Sequence, residues 1–108
     1  IPGHVEHAAY KCYVFVEPDK LQPGWNRDRI MAEIVEQGIP CFSGGCPEVY
    51  LEMAFDGTGL RPDKRLPNAR RLGETSLMFL CHPTMTDEEV TKACEVLSSV
   101  MGRATHLK

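Results

Sequence analysis

TSLMFLCHPTMTDEEVTKACEVLSSVM, residues Thr75 to Met101, is the stretch that decides the fold. Ser76 to Leu80 is an apolar run too short for a helix. It is closed by His82-Pro83 and therefore reads as a buried strand followed by a turn. Thr86 is an N-cap residue and Glu89 stands three positions later, the spacing of a capping box, with Met85 and Val90 at the hydrophobic-staple positions. Val90, Ala93, Cys94, Leu97 and Met101 recur at helical spacing, so the helix has one face to bury.

Working outward, Ala9 to Val16 (AYKCYVFV) is rich in aromatic and β-branched residues and predicts a strand, with Lys11 facing solvent by alternation. Glu17 to Gly24 is a loop. Asn26 caps a helix whose apolar face is Ile30, Met31, Ile34 and Val35, and Gly38 stops it. Ile39 to Phe42 is a short extended segment. Ser43-Gly-Gly-Cys-Pro47 is a tight turn leading into a helix expected to run through about Phe55, with Pro47 in its first turn. Asp56 to Arg65 is a polar surface loop, and Leu66-Pro-Asn-Ala69 opens a further helix to about Leu72. The order of elements predicts an α+β class: a small, mostly antiparallel sheet with helices packed on one face.

The chain has 108 residues and a hydrophobic fraction of 43%, which allows one domain with a modest core. With a net charge of −3 and no long basic run, it lacks an electrostatic footprint for nucleic acid. No apolar run approaches the ~20 residues of a membrane span, and no secretory signal pattern is present. The opening Ile-Pro-Gly and the weak pattern of residues 1–9 suggest a segment cut from a longer protein; a small protein that has lost a leader is the plainer alternative.

The cysteines, Cys12, Cys41, Cys46, Cys81 and Cys94, are odd in number, contain no Cys-x-x-Cys and lie partly in apolar runs. That usage suits a reducing cytoplasm, with cysteine serving as a small hydrophobe. A zinc module built from Cys41, Cys46, Cys81 and His82 would have a spacing that matches no standard ligand pattern. Gly57-x-Gly59 lacks the third glycine and the strand–helix context of a nucleotide loop.

Candidate site residues are few. The Ser43–Pro47 turn would offer backbone N–H groups to an anion at a helix start, against the simpler reading of an ordinary glycine turn. Cys46, just ahead of that helix, would have a lowered thiol pKa if the helix end favours thiolate, and would otherwise be inert. His82 at the strand end is either an acid/base group or a structural residue. Tyr50 reads as a core-edge residue.

Four features together resemble the C-terminal part of the DegT/DnrJ/EryC1/StrS family of sugar aminotransferases, over nearly the whole chain. They are the His7-to-Val16 strand; the helix opened by Asn26-Arg-Asp-Arg-Ile30 and closed by Gln37-Gly-Ile-Pro40; Leu66-Pro-Asn-Ala69; and Ser76-Leu77 leading to Pro83-Thr-Met-Thr-Asp-Glu-Glu-Val90. The resemblance implies that residues 1–108 are the small C-terminal domain of a fold-type I aminotransferase dependent on pyridoxal 5′-phosphate. Such an enzyme moves an amino group, usually from glutamate, onto a nucleotide-linked keto sugar, commonly as a cytoplasmic homodimer. Its Schiff-base lysine would lie in a large domain outside these residues. Lys11, Lys20, Lys64, Lys92 and Lys108 do not match the family's lysine motif, so no catalytic residue and no bound cofactor are expected here. Family members cover the sugar nucleotide with the loop equivalent to Cys41–Tyr50, which makes Ser43, Cys46 and Tyr50 the substrate-binding candidates. Cys46 stands where the family has a histidine, and His82 is a candidate for the same space. The alternative from another class is a free-standing α+β interaction or regulatory module without catalysis.

Overall fold

The computed structural model describes residues 2–105; Ile1 and Lys108 lie outside them. The chain runs β1 (Lys11–Phe15), a 3-10 turn (Pro18–Lys20), α1 (Arg27–Glu36), β2 (Cys41–Phe42), two 3-10 turns (Val49–Leu51 and Met53–Phe55), α2 (Pro67–Thr75), β3 (Ser76–Leu80) and α3 (Asp87–Ala104). β3 is the central strand of a three-stranded sheet ordered β1-β3-β2, antiparallel on both sides. The α+β class and its antiparallel sheet are as the sequence predicts.

The register follows from the two-residue period of a strand. Val14 pairs with Leu77, and Cys12 and Cys41 both pair with Phe79, which puts these residues on one face. There Val14, Leu77, Phe79 and Cys41 meet Ile30 and Ile34 of α1 and Val96, Val100 and Ala104 of α3, while Cys12 stays exposed. Ile30, Ile34, Leu77 and Val100 are fully buried, each worth about 1.5–3 kcal/mol of transfer free energy. The opposite face carries Tyr13, Phe15, Phe42 and Leu80, all substantially exposed, around a buried Met78.

Local signals set the helix ends. The Arg29 amide donates to Asn26 Oδ1 at 2.8 Å, and Gly38 leaves α1 with φ +82°, a left-handed conformation that suits glycine. At α3 both halves of the capping box form: the Glu89 amide donates to Thr86 Oγ1 at 3.2 Å, and the Thr86 amide donates to Glu89 Oε2 at 2.8 Å. The two core helices are braced at their surface by Glu33, which takes Arg29 at 3.3 Å and Arg103 at 2.6 Å. The Arg29 guanidinium also stacks 4.2 Å from the Trp25 ring.

The structure corrects four expectations. The helix expected from Pro47 to Phe55 is two 3-10 turns, because Arg61 captures the carbonyls a helix would use. Its Nε donates to Tyr50 O at 2.8 Å, and a terminal nitrogen donates to Leu51 O and Glu52 O at 3.2 Å each. α2 continues to Thr75 and feeds directly into β3. β1 starts only at Lys11, since Ala9 has φ +48° and breaks the extended run; Lys11 is half-buried rather than fully solvent-facing. On α3 the buried stripe is Val96, Val100 and Ala104, whereas Val90 is 46% exposed and Cys94 is exposed.

The chain is also unusually open. It exposes 8191 Å², whereas a compact monomer of 12.1 kDa exposes about 6,000 Å². Its radius of gyration is 16.7 Å, against about 13 Å for a compact domain of this length. Among the described residues no helix is long and apolar enough to cross a membrane.

Candidate functional site

The turn after β2 is held in place from below. Ser76 Oγ, at the start of β3, donates to Ser43 O at 2.6 Å. Gly44 follows at φ +97°, where a Cβ would lie 2.6 Å from Tyr13 Cε1, so only glycine lets the turn close over that ring. Pro47 is seated against Gly73 of α2, where a Cβ would lie 2.4 Å from Pro47 Cγ. The turn is thus clamped to the sheet at one end and to α2 at the other.

Beyond it, residues 48–66 form a polar knot. The Tyr50 hydroxyl donates to Glu48 Oε1 at 2.6 Å and accepts from the Leu66 amide at 2.8 Å. Arg65 Nε donates to the same Glu48 carboxylate at 2.9 Å, and a second Arg65 nitrogen reaches its other oxygen. These two partners, Arg65 first and then Tyr50, hold the Glu48 carboxyl down to about 2. Arg61 adds an ion pair to Asp56 at 2.6 Å. A segment with little regular secondary structure is therefore fixed by side chains, while Met53 and Leu60 on it stand 85% and 74% exposed.

Cys46 does not have a thiolate environment. Its Sγ donates to Glu52 Oε1 at 3.3 Å, and that hydrogen bond, with the nearby acids, raises the thiol pKa. The residues that follow make a 3-10 turn rather than a helix, so the dipole that would lower it is absent. Tyr50 is buried and both sides of its hydroxyl are engaged, so it acts as a pin of the loop.

Ser43, Cys46 and Tyr50 thus share one clamped segment, and His82 does not join them. Ser43 is tied to Ser76 at the start of β3, whereas His82 lies beyond its end at Leu80, about 20 Å along an extended strand. There His82 Nδ1 shares a 2.7 Å hydrogen bond with the Thr84 hydroxyl. Among the described residues no three His, Cys, Asp or Glu side chains gather as metal ligands. Cys41 is buried under the helices, and burial pushes its thiol pKa up. Glu48, Arg61 and Arg65 were not singled out from the sequence. Their pairing spans up to 17 residues of polar loop, and no local pattern marks it.

A second concavity lies on the helix side of the sheet. It is an apolar groove of about 890 Å³ between β1, the Cys81–Pro83 turn and the first half of α3, with Ala8, Ala9 and Tyr10 along its rim.

No family model matches the sequence, and no curated protein matches it. Among solved structures, the X-ray structure of the aminotransferase from Psychrobacter cryohalolentis matches 90% of this chain at 56% sequence identity, with a TM-score of 0.87. This chain resembles one quarter of an aminotransferase. It spans 25% of that protein's length, and the α+β arrangement described above is the part the two share.

Proposed function

We propose that this chain is the small C-terminal domain of a pyridoxal phosphate-dependent aminotransferase that acts on a nucleotide-linked keto sugar. The observation that carries the reading is the 56% identity to an aminotransferase across 90% of the chain. The resemblance of the Asn26, Leu66 and Pro83–Val90 motifs to sugar aminotransferases supports the substrate class. The surplus exposed area, about 2,000 Å² beyond a compact monomer, supports a domain that packs against others rather than a free-standing module.

The residues of this chain do not fit the cofactor by themselves. A pyridoxal phosphate site needs a lysine of lowered pKa and a cradle of donors for the phosphate. Lys20 is paired with Glu17 at 2.6 Å, and that pairing raises its pKa. Among the described helices, Asn26 caps the N-terminus of α1 and Thr86 with Glu89 that of α3, while α2 opens on Pro67, which has no N–H to offer. The cofactor and its lysine belong on this reading to a large domain of the same polypeptide, and no step of the reaction is assigned to residues here.

The contribution of this domain is substrate contact. The clamped segment bearing Ser43, Cys46 and Tyr50 would lie over the sugar nucleotide, with Arg65 beside it; His82 would reach substrate only from the far end of β3. Glutamate is the proposed amino donor, a homodimer the proposed assembly and the cytoplasm the proposed compartment. The test is amino transfer by the full-length protein, with glutamate as donor and a panel of nucleotide-linked keto sugars as acceptors. Conversion of glutamate to 2-oxoglutarate together with an amino-sugar product is the expected result. Transfer confined to free amino acids would remove the sugar assignment, and no transfer at all would remove the enzyme.

A further inference from the structure

We propose that Arg27 is a substrate-binding residue that holds a carboxylate of the amino donor at the corner where α1, the Ser43 turn and the start of β3 meet. The proposal rests on the reading of this chain as part of a glutamate-dependent aminotransferase, and it names a residue for that donor. Arg27 opens α1, and its side chain is 15% exposed. The other arginines held in ion pairs, Arg29, Arg61, Arg65, Arg70 and Arg103, are 37% to 54% exposed. Arg27 Nη1 donates to Ser76 O at 2.9 Å. Ser76 Oγ in turn donates to Ser43 O at 2.6 Å, so the guanidinium and the clamped turn are tied to one residue. Burial raises the Cys41 thiol pKa and the Arg27 charge partly offsets that rise, which places the guanidinium close to β2 as well.

The guanidinium is only partly spent. Nε donates to Asp28 Oδ1 at 2.7 Å and Nη1 to Ser76 O, which leaves the rest of the fork's five donors unused. Among the described residues no buried side-chain nitrogen lacks a partner, so Nη2, which donates to no protein group there, opens to the surface. The donors that remain suffice for the paired hydrogen bonds of one planar anion. Asp28 is 74% exposed, so solvent screens its half of the ion pair and it holds Arg27 weakly. A charge so far withdrawn from water is costly unless an anion completes it.

The fork fits carboxylate and phosphate alike, and charge decides between them. A nucleotide diphosphate brings a negative charge on each phosphate, and Asp28 adds another beside a single guanidinium. A carboxylate brings one charge and matches one arginine. A glutamate donor carries such a group, and a keto sugar need not. The Ser76 carbonyl holds the fork in place before the ligand arrives, which spares part of the ordering cost of binding.

The test uses the full-length protein, with glutarate, a dicarboxylate that has no amino group to transfer, as the probe in isothermal titration calorimetry. Arg27→Lys keeps the charge and a donor for Ser76 O but loses the fork. It is expected to weaken glutarate binding about 10-fold and to raise the KM for glutamate by a similar factor, with the KM for the keto sugar and the melting temperature little changed. Absence of glutarate binding by the parent, or equal affinity in folded Arg27→Lys, overturns the proposal. A lower melting temperature and kcat with both KM values unmoved overturns it too, because Arg27 then only braces Ser76. So does loss of pyrophosphate binding with glutarate binding intact, since the anion is then the diphosphate. A KM raised for the keto sugar alone assigns the carboxylate to the sugar and overturns the donor site. Glutamate-dependent transfer by the parent separates this proposal from the reading beneath it. An active parent whose glutarate affinity is indifferent to Arg27 defeats the carboxylate site alone, and a parent that binds glutarate through Arg27 but transfers nothing defeats the activity alone.

Discussion

The Tyr50 hydroxyl donates a 2.6 Å hydrogen bond to Glu48, and the same carboxylate is gripped by Arg65. The same hydroxyl joins the 3-10 turn Val49–Leu51 to the entry of α2, because Tyr50 also takes the Leu66 amide. Tyr50→Phe would leave that amide without its acceptor and free the loop between Glu52 and Arg65. Limited trypsinolysis at Lys64 and Arg65 is expected to become several-fold faster, with the rest of the domain cut at the original rate. Unchanged cleavage would mean the hydroxyl does not pin the loop.

The acid stability of the fold is expected to report on Glu48. Its carboxyl is lowered from 4.5 to about 2 by Arg65 and then Tyr50. A group depressed in the folded state stabilises fully above its unfolded pKa, and that contribution is lost as pH falls through the window from 4.5 towards 2. Denaturation midpoints of the parent should therefore drop across that window more steeply than those of Glu48→Gln. Parallel pH profiles would show that the pair contributes nothing to folding.

Core and groove residues should respond differently to truncation. Leu77 is fully buried between the helices and the sheet, so Leu77→Ala is expected to cost about 2–5 kcal/mol in chemical denaturation. Val90 lies on the same periodic face of α3 but is 46% exposed. Val90→Ala in the 108-residue chain is expected to cost under about 1 kcal/mol. Equal losses at the two positions would mean that the groove wall is already covered.

Gly73 provides a test in which helix propensity and packing oppose each other. Alanine is favoured over glycine inside a helix by about 1 kcal/mol, yet at Gly73 its Cβ would fall 2.4 Å from Pro47. Overpacking of this kind costs about 1–3 kcal/mol, so Gly73→Ala should lower the melting temperature. A raised melting temperature would show that Pro47 yields freely and that the turn is not clamped to α2.

Thr86→Ala removes the acceptor for the Glu89 amide. The expected loss is about 1 kcal/mol, measured by thermal melting followed by circular dichroism. A loss no larger than that of an exposed surface substitution would mean the cap is redundant with packing.

What could be read from the sequence was what near neighbours in the chain decide. Asn26, Gly38, and Thr86 with Glu89 act within one helical turn, and each works in the structure as its spacing implies. The two-residue alternation of β1 and β3 likewise fixed which residues share a face. The site was less legible. The family resemblance makes Ser43, Cys46 and Tyr50 candidates, and of the two readings open for Cys46 the structure supports the inert one, because Glu52 sets its environment. The segment from Pro47 to Phe55 has helix-forming residues, and a distant arginine, Arg61, decides that it is not a helix.

The amino-acid sequence by itself determined α1, α3 and their caps, and the central strand β3, because capping and periodicity are local interactions. Only the tertiary structure decided which part of each apolar face is covered. Val96 and Val100 are sealed against the sheet while Val90 and Cys94 are left open, since burial depends on what stands opposite and not on the period of the helix. It likewise decided that Glu48, Tyr50 and Arg65 meet, a contact made by loop closure across residues that carry no pattern of their own.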